Sequence, residues 1–374
     1  MLKGLYLTLL MGPKYLAVPV PQPVVDALTS VQVTTSSGQA SGFQLTFALS
    51  KKSILNTVML PAGAFDPGMR VILVATVNSF PNVLMDGIIT QHSVTPSNEP
   101  GQSTLSVTGQ DLSLLMSLDD RKVPFPAIPT VGIINVILLP YLLYGIVPLV
   151  IPPIQLVIDN PLDSWYSQTG TDLNYINEAA GEAGYVFYVE PGPAPGMSIA
   201  YFGPEIRIGV PQPALNVNMD AETNVESLSF TFDGLSRTQP VITILDPITH
   251  KIPIPIPIPD VSLLRPPLAL RPAQALITKE LDDVSHLDPI RAALQGVSQA
   301  AKPDAISGSG QLDVLRYGRP LKARQLVGVR GAGTAYDGLY YVSSVTHNIK
   351  RGEYKQSFNL AREGLISLVP RVVP

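Results

Sequence analysis

Hydrophobic and polar residues alternate in short runs along most of this chain, and the clearest alternation lies near its end. From Tyr336 to Gly364 the sequence reads YDGLYYVSSVTHNIKRGEYKQSFNLAREG. Tyr354, Phe358 and Leu360 fall on one face of a period-two pattern, with Lys355, Ser357 and Asn359 on the other, which predicts a half-buried strand. Leu339 to Ile349 is a second run, rich in Tyr, Val, Ser and Thr. The four-residue polar connection from Lys350 to Glu353 contains a Gly able to take positive φ, so the two runs predict an antiparallel hairpin. It contains nothing catalytic.

The same alternation recurs from the start. Leu5 to Met11 could pass for the core of a secretory signal after Lys3, but it is short, Thr8 interrupts it, and no small-x-small cleavage site follows; a first strand is favoured. The proline-stiffened VPVPQPVVDAL then leads into alternating runs at Val31–Thr35, Gly42–Leu49, Met69–Val77, Val83–Gln91 and Ser103–Gly109. They are separated by SSGQAS, FDPG, SFPN and SNEPG. Six short strands with turns at close spacing predict a small barrel or sandwich. Asp86 and Asp111 fit turn and strand-end chemistry, because nothing sets them at the defined separation that paired catalytic carboxylates require.

The period changes in the middle of the chain. Leu173, Ile176, Ala180 and Ala183 recur at helical steps, with Thr171 as N-cap and Gly184 just past the end, so a helix is expected to feed the strand Tyr185–Val189. Asp172, Glu178 and Glu182 have the spacing of a solvated helix face, and Asp172 also suits the helix N-terminus. Val131 to Ile151, VGIINVILLPYLLYGIVPLVI, is long enough to cross a bilayer and is the strongest signal for a membrane-associated protein. Pro140, Pro148 and Gly145 interrupt it and no basic cluster flanks it, which favours a buried helix near Ile133–Tyr144 followed by an extended segment, and no intrinsic membrane span.

Strands return between Ala214 and Phe232 and at Val241–Leu245. Pro at every second position from Pro253 to Pro259 predicts a polyproline II arm, and residues 281–310 a helical or mobile stretch ending in SGSG, with strands resuming at Gln311. The 374 residues, 45% hydrophobic and 14% charged, suffice for two or three domains with large cores. A net charge of −4 with scattered basic residues argues against nucleic-acid binding, and zero Cys excludes disulfide frameworks and thiolate metal sites. His92, His250, His286 and His347 share no metal-ligand spacing, and His347 reads as a strand residue with one satisfied ring nitrogen. Gly331, Gly333 and Gly338 lie between strands, where a dinucleotide loop needs a helix to follow. No nucleophile elbow or phosphate-binding Gly-Lys-Ser/Thr phrase occurs, so no enzyme, cofactor or metal is expected. A carbohydrate-binding β-rich protein is the other alternative, disfavoured by 7% aromatic residues and one Trp.

Three phrases resemble the late-control protein D family, the baseplate hub proteins of contractile phage tails and related injection systems. They are residues 84–111 with Leu84-Met85-Asp86-Gly87 and Val107-Thr108-Gly109-Gln110-Asp111, the helix-to-strand unit 171–190, and the closing hairpin 326–364. The resemblance implies a mainly β, α+β chain: two small antiparallel β-barrel, tube-like domains (1–118 and 205–374), an α/β insert (119–204), and a Pro-rich arm and helical stretch at about 246–305. It further implies a homotrimer that adapts threefold to sixfold symmetry between an inner tube, or tube-initiator proteins, and a spike, in contact with other baseplate proteins. Such particles assemble in the cytoplasm. In spike-fused relatives of the VgrG type a further barrel and a β-helix follow the hub, whereas Pro374 comes ten residues after the AREG phrase. A separate spike polypeptide is therefore expected, docking on the apolar tail residues Leu365, Ile366, Leu368, Val369, Val372 and Val373.

Overall fold

In the computed structural model the structure describes residues 4–99, 102–126, 128–152, 165–245, 253–257, 265–280, 304–369 and 372. The first part of the chain forms β1 (Leu5–Gly12), the two-residue β2 (Val18–Pro19), a short helix α1 (Gln22–Ala27), β3 (Leu28–Ser36), β4 (Gly42–Ala48), β5 (Arg70–Val77), β6 (Phe80–Thr95) and β7 (Thr104–Asp111). Each predicted strand is present. Only the VPVPQP connector differs, since Pro21 and Pro23 start α1, where a missing N–H costs nothing. Leu5, Leu9 and Met11 point inward onto Val31, Val33, Phe43, Leu45, Phe47 and Leu73 in the main core. Each such fully buried side chain contributes about 1.5–3 kcal/mol.

The central segment adds β8 (Asp120–Pro126), α2 (Thr130–Leu138), β9 (Ile146–Val150), β10 (Trp165–Thr171), α3 (Asp172–Ala183), β11 (Val186–Pro191) and β12 (Ser198–Gly203). β8 pairs with β10, while β12 lies between antiparallel β11 and parallel β9. Helix α3 has the expected caps: Thr171 Oγ1 accepts from the Asn174 N–H at 3.2 Å, and Gly184 is left-handed at φ 68°. The bilayer-length apolar stretch is broken into the nine-residue α2, a 3₁₀ turn over Leu139–Tyr144 and β9. Among the described residues no helix is long and apolar enough to cross a membrane. Gly145 makes the break: its φ is 78°, and a Cβ there would stand 2.1 Å from the Gly196 carbonyl oxygen.

The last part contributes β13 (Gln212–Asn216), β14 (Val225–Phe232), β15 (Thr238–Leu245), β16 (Pro253–Pro257), β17 (Ala269–Pro272), β18 (Ile277–Glu280), β19 (Ile306–Asp313), α4 (Val314–Tyr317), β20 (Leu326–Arg330), β21 (Gly338–Lys350), β22 (Glu353–Arg362) and β23 (Gly364–Ser367). The predicted hairpin is β21–β22. Its turn is two residues, Arg351 and Gly352, because Lys350 and Glu353 already pair. Tyr354, Phe358 and Leu360 are buried as expected. Two other expectations change. The SGSG phrase lies inside β19, where Gly308 and Gly310 leave room for the rings of Phe230 and Phe358 against the backbone. The prolines of β16 form a paired strand in place of polyproline II, with Ile254 opposite Ile244 and Ile256 opposite Ile242. With Pro at alternate positions, every missing donor falls on one edge and the Ile N–H groups remain for the other. The predicted helical stretch lies outside the described residues from 281 to 303.

The expected pair of barrels is not what forms. Thirteen strands make one sheet in the order β14-β19-β22-β21-β3-β4-β7-β6-β5-β1-β2, with β20 and β13 branching from β21. Among the described residues no ladder closes it, because the edge of β3 that would complete a first barrel with β1 is taken by β21, and β4 holds the other edge. The unpaired gap is a cleft of about 370 Å³ between β1, α1, β3 and the β21–β22 turn, floored by Leu5, Leu7, Val25, Leu28, Val31 and Ile349.

Two outcomes follow from the hairpin. Phe358→Asp should cost several kcal/mol, roughly the penalty of an unpaired buried ion after relaxation. Lys355→Asp should leave the fold intact, exchanging the solvent-screened contacts to Glu226 and Glu353 for a screened repulsion that is weak beside the cost of a buried ion; equal thermal melts for the two variants would refute the facing of β22. The second outcome concerns His347, buried against Tyr354, whose hydroxyl lies 2.7 Å from Nδ1. Burial pushes its pKa down from 6.5 to about 4. Between these values the unfolded chain takes a proton that the folded chain refuses, so stability falls as pH drops through that window, by about 3 kcal/mol in all. Urea midpoints from pH 7 to 4 should show a shallower decline for His347→Gln than for the natural chain.

Candidate interaction surfaces

Four arginines lie buried where different parts of the chain meet. Arg70, at the start of β5, makes a two-pronged pair with Asp86 of β6, both contacts 2.7 Å, and a further guanidinium N–H reaches the Gly196 carbonyl. Ser198 Oγ donates to the same carboxylate at 3.3 Å, so the pair fastens the loop before β12 to the main sheet. Asp86 thus has a partner that its turn-like context did not reveal. Asp111, by contrast, caps: it accepts from the Ser41 and Ser113 N–H groups, and burial raises its pKa although these bonds oppose the rise.

Arg324 sits at φ 62°, a costly conformation for a residue with a Cβ. Its guanidinium donates to the Ser36 carbonyl of β3 at 2.7 Å and lies 3.9 Å from the Tyr188 ring centroid of β11, with Glu190 at 3.5 Å. One side chain therefore touches the first strands, the central segment and the last strands. Arg207, between β12 and β13, pairs with Asp304 at 2.6 Å and Glu205 at 3.2 Å, and Arg265 joins Asp304 at 3.2 Å. Burial pushes the Asp304 carboxyl up, but the bond and charge of Arg207, with Arg265, outweigh it and hold the pKa below the usual range. Arg362, of the AREG phrase, donates to the carbonyls of Gly364, Asp337 and Ala335 beneath the Tyr340 ring.

Asp172 is also buried, contrary to the solvated face expected of it. It accepts from Tyr141 at 2.7 Å and pairs with Arg121 at 3.2 Å. Glu178 and Glu182 are exposed as expected. No group of three or more His, Asp or Glu among the described residues could hold a metal ion.

The apolar tail is only in part a surface. β23 pairs antiparallel with β17, Leu365 packs on the main core, and Val372 packs on Leu268, Leu326, Leu339 and Tyr341. Ile366, Leu368 and Val369 are exposed together, Ile366 at a left-handed φ of 58° that a β-branched residue rarely adopts. Val373 lies outside the described residues.

No family model and no curated protein matches the sequence. Solved structures do. The 43 kDa tail protein of prophage MuSo2 from Shewanella oneidensis matches with a TM-score of 0.64 at 13% identity, over 96% of this chain and 98% of its own. The tail protein from Neisseria meningitidis MC58 matches with a TM-score of 0.61 at 13% identity, again over 96% and 98%. This chain has a tail-protein fold. The Escherichia coli c3393 protein, a component of the type VI secretion system, shares it at a TM-score of 0.54 and 12% identity, over 92% of this chain and 78% of its own. At such identities the likeness is one of fold.

Within the tail-protein fold the arginine junctions were the part that sequence reasoning missed. Their one signal was an Arg set against apolar runs, as in Met69-Arg70-Val71-Ile72 and Leu360-Ala361-Arg362, and it named no partner. Removing half of a buried pair leaves the other charge stranded. Arg70→Ala should therefore cost about 3–5 kcal/mol, while the volume-matched double change Arg70→Met with Asp86→Leu should recover most of that loss in a urea titration.

Proposed function

We propose that this protein is the central hub of a contractile-tail or contractile-injection baseplate, a structural part that works by binding and carries out no reaction. The observation that carries this reading is fold likeness along nearly the whole length of two tail proteins, 96% of this chain on 98% of each. Its partners are an inner tube or tube initiator on one side, a separate spike on the other and further baseplate proteins around it, assembled in the cytoplasm. Three copies make the hub. Each chain brings two groups of strands, β1–β7 and β13, β14 and β19–β22, side by side in one sheet, so three chains offer six such groups to a sixfold tube and three tails to a threefold spike.

The exposed side chains Ile366, Leu368 and Val369 form the spike contact in this reading; Leu365 and Val372 support them from below. An obligate interface of this kind buries upward of about 2,000 Å² and is apolar. Truncation at residue 365 would remove core contacts as well, so the test is by substitution. Leu368→Glu with Val369→Glu should leave solubility and melting unchanged but abolish co-purification with the spike protein, and full retention would remove the tail from the interface. Native mass spectrometry of the assembled hub should count three copies, and a single copy inside a particle would sink the symmetry argument.

A further inference from the structure

The sheet leaves one edge of β1 unpaired where it fails to close. The Asn78 N–H donates to the Gly4 carbonyl at 3.0 Å, continuing the ladder in which Leu5 faces Val77, so the even-numbered residues of β1 bond to β5. The odd-numbered ones therefore aim their N–H and C=O groups to the other side. There the Leu9 carbonyl accepts from the Val20 N–H at 3.0 Å, and β2 pairs with Leu10 and Met11 only. Among the described residues no strand pairs with Leu5 or Leu7 on that side, and both line the cleft. Native strands with a free edge are usually blunted by a charge, a proline or a bulge. β14, at the other end of the strand order, has Glu226 and a register shift after Val225, and β2 has Pro19. β1, LYLTLLMG, has no charge and no proline, and it runs in unbroken register along β5.

Across the cleft from this edge stand the start of β3 and the β21–β22 turn. The Arg351 guanidinium donates to the Asp26 carbonyl, which ties that turn to α1, and Val24 anchors α1 in the core with no exposure at all. The walls are thus built before anything binds. The volume of about 370 Å³ is that of a ligand site, commonly roughly 300–1,000 Å³. The floor is apolar, and the charged groups at the rim are Lys350, Arg351 and Asp26, two positive against one negative. Glu353, the next acidic residue along the chain, pairs with Lys355 at 3.2 Å. A small apolar molecule would leave the N–H and C=O groups of Leu5 and Leu7 unmet, and a helix has none free along its side. An extended chain meets them with every second residue while alternate side chains turn to the floor.

We infer that this cleft receives an extended segment of a partner protein, which adds to β1 as a strand at Leu5 and Leu7, sets apolar side chains on the floor and places a carboxylate by Lys350. The site asks only for a strand and stands apart from the hub reading. The probe is a fluorescein-labelled peptide of alternating valine and threonine with an aspartate at each end, titrated into the full-length chain by fluorescence polarisation. Binding should saturate, and deuterium uptake across Leu5–Leu9 should slow when the peptide is present. Methylating the peptide nitrogens at alternate residues, in one of the two possible sets, should weaken binding by at least roughly tenfold, because the strand bonds are lost while the side chains remain. Leu7→Pro removes an edge donor and none of the donors bonded to β5, so it should bind the probe weakly while melting as a folded chain. Lys350→Glu should shift the preference toward a lysine-ended peptide, and high salt should level the two. No saturable binding, or equal binding by both methylated forms, overturns the site even where Leu7→Pro fails to fold. Slower uptake across Leu5–Leu9 as the natural chain is concentrated alone gives the edge to a second copy and overturns the partner strand.

Discussion

The ladder between β3 and β21 decides what the rest of the molecule can be. Thr34 and Thr346, 312 residues apart, face each other across it with their hydroxyls 3.1 Å apart, and the register runs from Ser36 opposite Ser344 to Ser30 opposite Lys350. Because that edge of β3 is occupied, β1 has nowhere to close, and two groups of strands that could each curl on themselves share one hydrophobic core. Val31, Val33, Phe358 and Leu360 belong to the same cluster. A charge placed under β22 therefore disturbs the start of the chain as well as its end.

Ions bridge the junctions around this sheet, beside apolar contacts such as that of Ile88 of β6 with the buried side chains of the central segment. Arg70, Arg207 and Arg324 each reach between segments distant in sequence, and each finds carboxylates, carbonyls or an aromatic face in fixed positions. Desolvating a guanidinium is expensive unless its forked donors are met, so these contacts add less to net stability than their short distances suggest. What they supply is exclusivity, since a rotated or slipped junction would strand a buried charge. Arg324 holding a left-handed backbone conformation fits that role: the strain is tolerated because three parts of the chain meet on one side chain.

The hairpin, the first strands and α3 were legible because period, caps and turn residues are local. Tyr354, Phe358 and Leu360 declare their face within seven residues, and Thr171 and Gly184 mark both ends of their helix. Closure was not legible. Whether β1 or β21 lies beside β3 depends on competition between strands hundreds of residues apart, which no periodicity records. Asp86 and Asp172 were misjudged for a related reason: one carboxylate fits local turn chemistry and the other a solvated helix face until Arg70 or Tyr141 arrives from elsewhere. The run Val131–Ile151 was read correctly as broken by Pro140, Gly145 and Pro148. Its apolar excess, beyond what one buried face needs, was already visible in the sequence as a complete lack of charge.

The separation across the β3–β21 ladder also sets a timetable for synthesis. Ribosomes add about 5–20 residues per second, so the edge of β3 waits roughly 15–60 s for its partner strand after it has left the tunnel. During that interval the first strands present a sheet edge with unpaired backbone groups, the kind of template on which chains join wrongly. The polar residues Gln32, Thr34 and Ser36 along β3 reduce the cost of waiting, and the two-residue turn at Arg351 and Gly352 lets β22 fold onto β21 almost as soon as both exist. The last fifth of the chain thus completes the first, and a ribosome that stalls before residue 338 releases a product with its most adhesive edge uncovered.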